Sequence, residues 1–224
     1  MLMLNPYESE QNLRNDDGTM RPGGLRLTAR AARLAEIKTG MRIVDYGCGT
    51  GITAHYLSRE FGADVVGIDV SQKLVDEGRG LFNGLNLIAS PNGEIPLEQG
   101  SVDAVFTECT LSVIGDIREP LGRFYSVLKD GGRLVISDVY LRKPNVGNFL
   151  WTLEELREVI EACGFDMLHS EDQTPALRTY AARLFSENCG AACRAPLFAK
   201  MPENTPFSAL GYAVIVARKR PAGI

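Results

Sequence analysis

An α/β fold is what this sequence predicts: a doubly wound, mostly parallel seven-stranded sheet with a reversed last strand and helices on both faces. Two observations carry that expectation. Short apolar runs alternate with stretches of helical periodicity, the pattern of strands joined by crossover helices. A glycine-rich turn, Gly47-Cys48-Gly49-Thr50-Gly51, stands where the first apolar run gives way to such a helix.

Residues 1–24 are polar and rich in Gly and Pro, ending in Arg21-Pro22-Gly23-Gly24, and read as an arm. Tyr7, Arg21 and the Gly23-Gly24 hinge make that arm a candidate lid, with a disordered arm as the alternative. Leu25, Leu27, Ala31, Leu34, Ala35 and Ile37 then recur at helical spacing before Thr39-Gly40 supplies a stop. Apolar runs at 42–44, 63–68, 85–88, 102–106 and 133–136 read as buried strands. Helical patterns at 52–61, 72–82 and 116–129 lie between them, the last stopped by Asp130-Gly131-Gly132. A helix over 152–163 opens on Thr152 with Glu155 three residues on, a capping-box spacing, and Gly164 ends it.

Strands at 165–170 and 211–218 complete the count. The segment 171–210 between them, with a helix near 175–188 and then Pro196, Pro202 and Pro206, is too long for a hairpin and reads as an insertion over the site. The organisation is therefore an arm, 1–24, and one domain, 25–224.

With 224 residues, 45% of them hydrophobic, the chain can bury one large core. Its 24 basic and 28 acidic side chains give a net charge of −4, and the only basic cluster, Arg218-Lys219-Arg220, reads as a solvated strand end, so a nucleic-acid partner is not expected. Asn5-Pro6-Tyr7-Glu8 interrupts the apolar start too early for a signal peptide, and no run approaches a membrane span. The expectation is a soluble, cytoplasmic protein without a membrane partner, and its oligomeric state cannot be read. Five cysteines, an odd number, argue against a disulfide framework.

The chemistry concentrates at Val44-Asp45-Tyr46-Gly47-Cys48-Gly49-Thr50-Gly51. Glycines at every second position let the backbone turn sharply and approach a ligand closely. The dinucleotide fingerprint places its third glycine three residues after the second, which Gly51 is not. Asp45 would repel a pyrophosphate but attract an ammonium group. Asp69, 20 residues after Gly49 and followed by Val70, stands where a carboxylate accepts from both ribose hydroxyls. Together these features favour a cationic, phosphate-free nucleoside.

These residues resemble the first two motifs of class I S-adenosylmethionine-dependent methyltransferases, over roughly residues 25–170. The resemblance implies S-adenosylmethionine as donor, S-adenosylhomocysteine as product and a small-molecule acceptor. It makes Asp45, Gly47, Cys48, Gly49, Gly51, Asp69, Val70 and Glu108 donor-binding candidates. The stretch Ser90–Leu97 resembles the family's adenine loop, with Pro91 or Asn92 standing where an Asp is common, so Asn92 and Gly93 are taken as its contacts.

After the fourth strand, Glu108 is a candidate base or complement to sulfonium charge, and Cys109 a candidate group facing the acceptor. This stretch, with Ser137-Asp138-Val139-Tyr140, is also similar to the arsenite methyltransferase branch, which has a substrate-binding Cys where Cys109 stands. That branch's N-terminal cysteines, and its Cys-containing segment after the fifth strand, have no counterparts here.

Cys48 and Cys163 read as packing residues. Cys189 and Cys193 would share one helix face and form, with Cys109, a speculative thiol site, but His55 and His169 stand at no ligand spacing from them and no metal is expected. Two rival classes are a nicotinamide-dependent oxidoreductase, opposed by the glycine spacing and Asp45, and a donor-binding sensor or accessory subunit without turnover.

Overall fold

The structure is a computed structural model, and it describes residues 6–9, 14–143, 150–186, 196–198, 201–202 and 205–221. Seven strands form one sheet: β1 (Arg42–Tyr46), β2 (Asp64–Asp69), β3 (Asn86–Ala89), β4 (Val102–Glu108), β5 (Leu128–Leu141), β6 (Phe165–Asp172) and β7 (Leu210–Lys219). Their order is β3-β2-β1-β4-β5-β7-β6. The first five run parallel, and β7 pairs antiparallel with both β5 and β6, as the sequence predicts.

The helices are α1 (Gly24–Leu34), α2 (Ile52–Phe61), α3 (Gln72–Leu81), α4 (Arg118–Val127), α5 (Leu153–Ala162) and α6 (Thr174–Ser186). Two apolar clusters sandwich the sheet. One joins Val44, Val66 and Ile136 to Leu121 and Phe124 of α4 and Ile160 of α5; the other joins Ile43, Val65 and Phe106 to Ala31 of α1 and Leu57 of α2. The strands are thus covered on both faces, which is why they are continuous in apolar residues. A third cluster, built from Leu27, Cys109, Leu177, Tyr180 and Tyr212, packs α6 over the ends of β4, β5 and β7.

Two boundaries differ from the expectation. The fifth strand begins at Leu128, ahead of Asp130-Gly131-Gly132, because Leu128 is fully buried and pairs with Val102, with a register shift before Ala104 meets Arg133. The glycines therefore sit in an irregular stretch of the strand instead of ending the helix, which stops at Val127. The sixth strand runs on to Asp172, and α6 starts at once at Thr174. The expected capping box is present at α5, where Thr152 accepts from the Glu155 amide and Glu155 accepts from the Thr152 amide.

The strand order reverses between β1 and β4, and their carboxyl ends open the crevice in which doubly wound sheets bind ligands. Among the described residues, no helix is long and apolar enough to cross a membrane.

Candidate functional site

The glycine turn joins β1 to α2 at that crevice. Gly47 has φ +79°, and a side chain there would meet the Thr110 hydroxyl at 2.1 Å. Gly49 has φ +55°, but a Cβ there would meet nothing within 4 Å, so its bare backbone faces open space where a ligand can approach. Cys48 packs toward β2, its Sγ lying 2.9 Å from where a Cβ on Gly67 would stand. Burial pushes its thiol well up and keeps it protonated, consistent with a packing role.

Three carboxylates converge on the turn, each held differently. Asp69, at the end of β2, accepts from the Gly49 amide at 2.8 Å and from the Ser71 amide at 2.8 Å, tying the turn to the start of α3. Burial raises its pKa, and the two amides oppose the rise. Asp45 is 2% exposed and its Oδ2 has no partner. Burial, with Glu108 nearby, pushes its carboxyl up to about 8. An orphaned buried carboxylate oxygen is costly unless a donor or cation is delivered to it.

Glu108, at the end of β4, is instead fully engaged. Arg21 Nη2 lies 2.7 Å from its Oε2, Thr53 Oγ1 donates to Oε2 at 2.9 Å, and Thr28 Oγ1 donates to Oε1 at 3.1 Å. Arg21 thus balances Glu108, while Asp45, its pKa raised to about 8, is the carboxyl that a nearby cation would ionise.

The Cys109 thiol is buried beside Tyr212. The sulfur lies 3.3 Å from the Tyr212 hydroxyl inside the third cluster, and burial, with Asp138 nearby, keeps it protonated. Its backbone joins β5 to the arm. With φ +52°, the residue donates its amide to Ser137 at 2.8 Å and accepts at its carbonyl from the Tyr7 hydroxyl at 2.8 Å.

The arm lies across this crevice. Tyr7 reaches the end of β4, while Glu8 accepts from the Ser71 hydroxyl at 2.7 Å and from Lys73 at 3.1 Å through its carbonyl. Further along, Asp17 accepts from the Leu25 amide at 2.7 Å, giving α1 the cap that Gly23 cannot supply. The cavity under the arm is lined by Tyr7, Arg14, Met20 and Arg21 from above. Asp45, Gly47, Cys48, Gly49, Glu108 and Cys109 line it from below.

Of the other expected site residues, Gly51, Asp69, Val70, Asn92 and Gly93 are not part of that lining. Val70 is 52% exposed beside Asp69. The Ser90–Gly93 turn is pinned to β2 by the Ser90 amide, which donates to the Asp69 backbone carbonyl at 2.7 Å. Its carbonyls are already engaged: Arg123 donates to Asn92 and Gly93, and the Tyr46 hydroxyl to Gly93. Cys189 and Cys193 lie outside the described residues, which hold no group of three or more His, Cys, Asp or Glu able to bind a metal.

Sequence reasoning missed Thr28, Thr53 and Asp138. The two threonines carry a faint signal, being polar residues on helix faces that are otherwise buried. Asp138 is 3% exposed on β5, where its carboxylate accepts from the Ser112 amide at 3.0 Å and the Val139 amide at 2.8 Å. Burial raises its pKa to about 6 despite those donors.

A family described as "Methyltransferase domain" matches residues 37–182. The chain is 27% identical over 190 residues to phosphoethanolamine N-methyltransferase 3 of Arabidopsis thaliana. That match covers 75% of this chain but only 38% of the relative, so the chain spans well under half of that protein's length. It is 25% identical to the O-methyltransferase resE of Aspergillus sclerotiorum, covering 92% of this chain and 86% of that one. Among solved structures, the [4+2]-cyclase SpnF superposes with a TM-score of 0.74 at 25% identity, over 96% of this chain and 86% of that one. The match runs from before β1 into α6 and so takes in the glycine turn and the ends of both β2 and β4; the chain belongs to the methyltransferase-domain family, the class I S-adenosylmethionine-dependent methyltransferases.

Proposed function

We propose that this chain transfers the methyl group of S-adenosylmethionine to a small-molecule acceptor. The observation that carries the reading is Asp45: a buried carboxylate with an unpartnered oxygen, lining a cavity beside a glycine whose backbone faces open space. That oxygen suits the ammonium group of a methionine moiety. Asp69 suits the ribose hydroxyls, and the exposed Val70 offers an apolar surface to the base, with the Asn92-Gly93 turn beside it. Gly47, Cys48 and Gly51 shape the turn that makes the approach close.

The donor supplies a methyl carbon already activated by positive sulfur. The chain's own task is then to position donor and acceptor in line and to exclude water. Glu108 takes part by complementing positive charge and by anchoring Arg21, and so the arm, over the crevice. The Cys109 backbone, between Tyr7 and Ser137, fixes the transfer end of the crevice. The Arabidopsis and Aspergillus relatives, an N- and an O-methyltransferase by name, favour a nitrogen or oxygen acceptor.

Calorimetry tests the donor half. S-adenosylhomocysteine binds, and Asp69→Ala weakens it by about tenfold or more, the scale of a lost hydrogen bond to a charged group. Unchanged affinity in that variant would remove the reading. A second reading, donor binding without methyl transfer, is favoured by the likeness to a cyclase. Methyl transfer from labelled donor to any member of a panel of amines, phenols and phosphorylated amines decides against it.

A further inference from the structure

A second cavity, of about 350 Å³, lies on the other side of the arm, between residues 15–23 and α6. That volume falls within the range of small-molecule sites. The arm is the partition: Gly18, Thr19, Met20 and Arg21 line the donor cavity, while Asn15 and Gly23 line the second. Its inner wall includes Ala176 and Tyr180, 8% and 1% exposed, and Tyr180 belongs to the cluster that holds Cys109 and Tyr212.

The charges around this cavity are one-sided. Arg26 and Arg183 line it, and no carboxylate does among the described residues. On α1, Arg26 and Arg30 are one turn apart, and Arg30 takes the nearby Glu171, donating to both carboxylate oxygens at 2.8 Å. Gln173, also in the lining, donates to the same carboxylate. Glu171 is thereby neutralised at the rim, and Arg26 makes no ion pair among the described residues. Arg183 is held toward the cavity by Asn15 Oδ1 at 3.3 Å and faces Asp16 at 3.5 Å. Asp16 is fully exposed, so water weakens that pair.

The geometry points to a binding site for a small organic anion, a phosphate monoester or carboxylate on an apolar body. Arg26 and Arg183 hold the charge and the Ala176–Tyr180 wall takes the body. Arginine forks suit such oxygens, and two of them flanking an apolar wall discriminate by both charge and shape. The site is separate from Asp45 and Asp69 and does not depend on the donor reading. Because Asn15 and Gly23 belong to the arm, a bound anion also stabilises the closed arm.

Titration of the donor-free chain with phenyl phosphate, with inorganic phosphate as reference, tests this. The expected result is saturable binding of phenyl phosphate, about fivefold or more tighter than inorganic phosphate. Arg26→Gln weakens it at least about fivefold while S-adenosylhomocysteine affinity and thermal stability stay unchanged. No saturable binding, or equal binding by Arg26→Gln, overturns the proposal. S-adenosylhomocysteine binding is measured on the same samples, so failure of the donor site is seen separately. Turnover then distinguishes the source of the anion. Phenyl phosphate competes with the acceptor if the anion is part of it, and changes kcat without competing if the anion is an effector.

Discussion

Asp45 and Glu108 are neighbouring buried carboxylates at the ends of adjacent strands, yet their surroundings are opposite. Glu108 is surrounded by an arginine and two threonines; Asp45 has an oxygen with no partner. Their partners also come from different distances along the chain. The donor-side pieces, Asp45, the glycine turn and Asp69, lie within 25 residues of one another, whereas Arg21 and Thr28 reach Glu108 from 87 and 80 residues away. The structure thus places an unpartnered carboxyl oxygen on one side of the crevice and a completed polar network on the other. In the proposed reading the first receives the donor and the second holds the arm.

The sharpest way to break this comparison is to remove Arg21. Arg21→Ala leaves Glu108 buried with only hydroxyl donors, and losing one partner of a buried pair costs about 3–5 kcal/mol. Chemical denaturation reads that loss, and limited proteolysis shows the arm released. If stability is unchanged, the network does not hold the arm. Next in size, Gly47→Val forces a side chain into Thr110 at a positive φ. It is expected to cost about 2–3 kcal/mol and to abolish binding of S-adenosylhomocysteine in calorimetry.

The same contrast explains what could be read in advance. Strand and helix alternation, the Gly47–Gly51 turn, Asp69 and the Thr152–Glu155 cap are patterns carried by residues close together in sequence, and each stands where that pattern puts it. Arg21 was visible as part of an arm but not as the partner of Glu108, because nothing local connects residue 21 with residue 108. Glu108 read as a base or as a complement to sulfonium charge, and its enclosure was not visible because the threonines that cover it belong to helices. Cys109 read as a thiol facing substrate, but its positive φ, invisible in sequence, turns the sulfur toward Tyr212 and presents the backbone instead.

Asp45 carries the third prediction, on pH. Its folded value, about 8, lies above the 3.8 of a free aspartate, so between the two the folded chain binds a proton that the unfolded chain has released. Stability from this group is present at low pH and is lost as pH rises between those values, by at most about 1.4 kcal/mol per pH unit. Asp45→Asn removes that slope and raises stability by about 1–2 kcal/mol near pH 8. It also weakens binding of S-adenosylhomocysteine, because the ammonium loses its charged partner. Denaturation across about pH 5 to 8 reads the first effect and calorimetry the second. A variant that kept the slope would show that Asp45 is not the titrating group.

The smallest effect belongs to Thr152, at the start of α5, which touches neither carboxylate. Thr152→Ala removes a reciprocal cap between residues three apart and costs about 1 kcal/mol. Donor affinity and the pH slope assigned to Asp45 stay as they are, because α5 packs on the far cluster with Leu156 and Ile160. A loss of donor affinity here would mean that the crevice responds to the packing of a distant helix, and the division between a local donor side and an arm-holding side would fail. Unchanged affinity with the expected loss in denaturation would instead show that general weakening of the fold does not reach the site, so that the effects of Arg21→Ala and Asp45→Asn are specific to it.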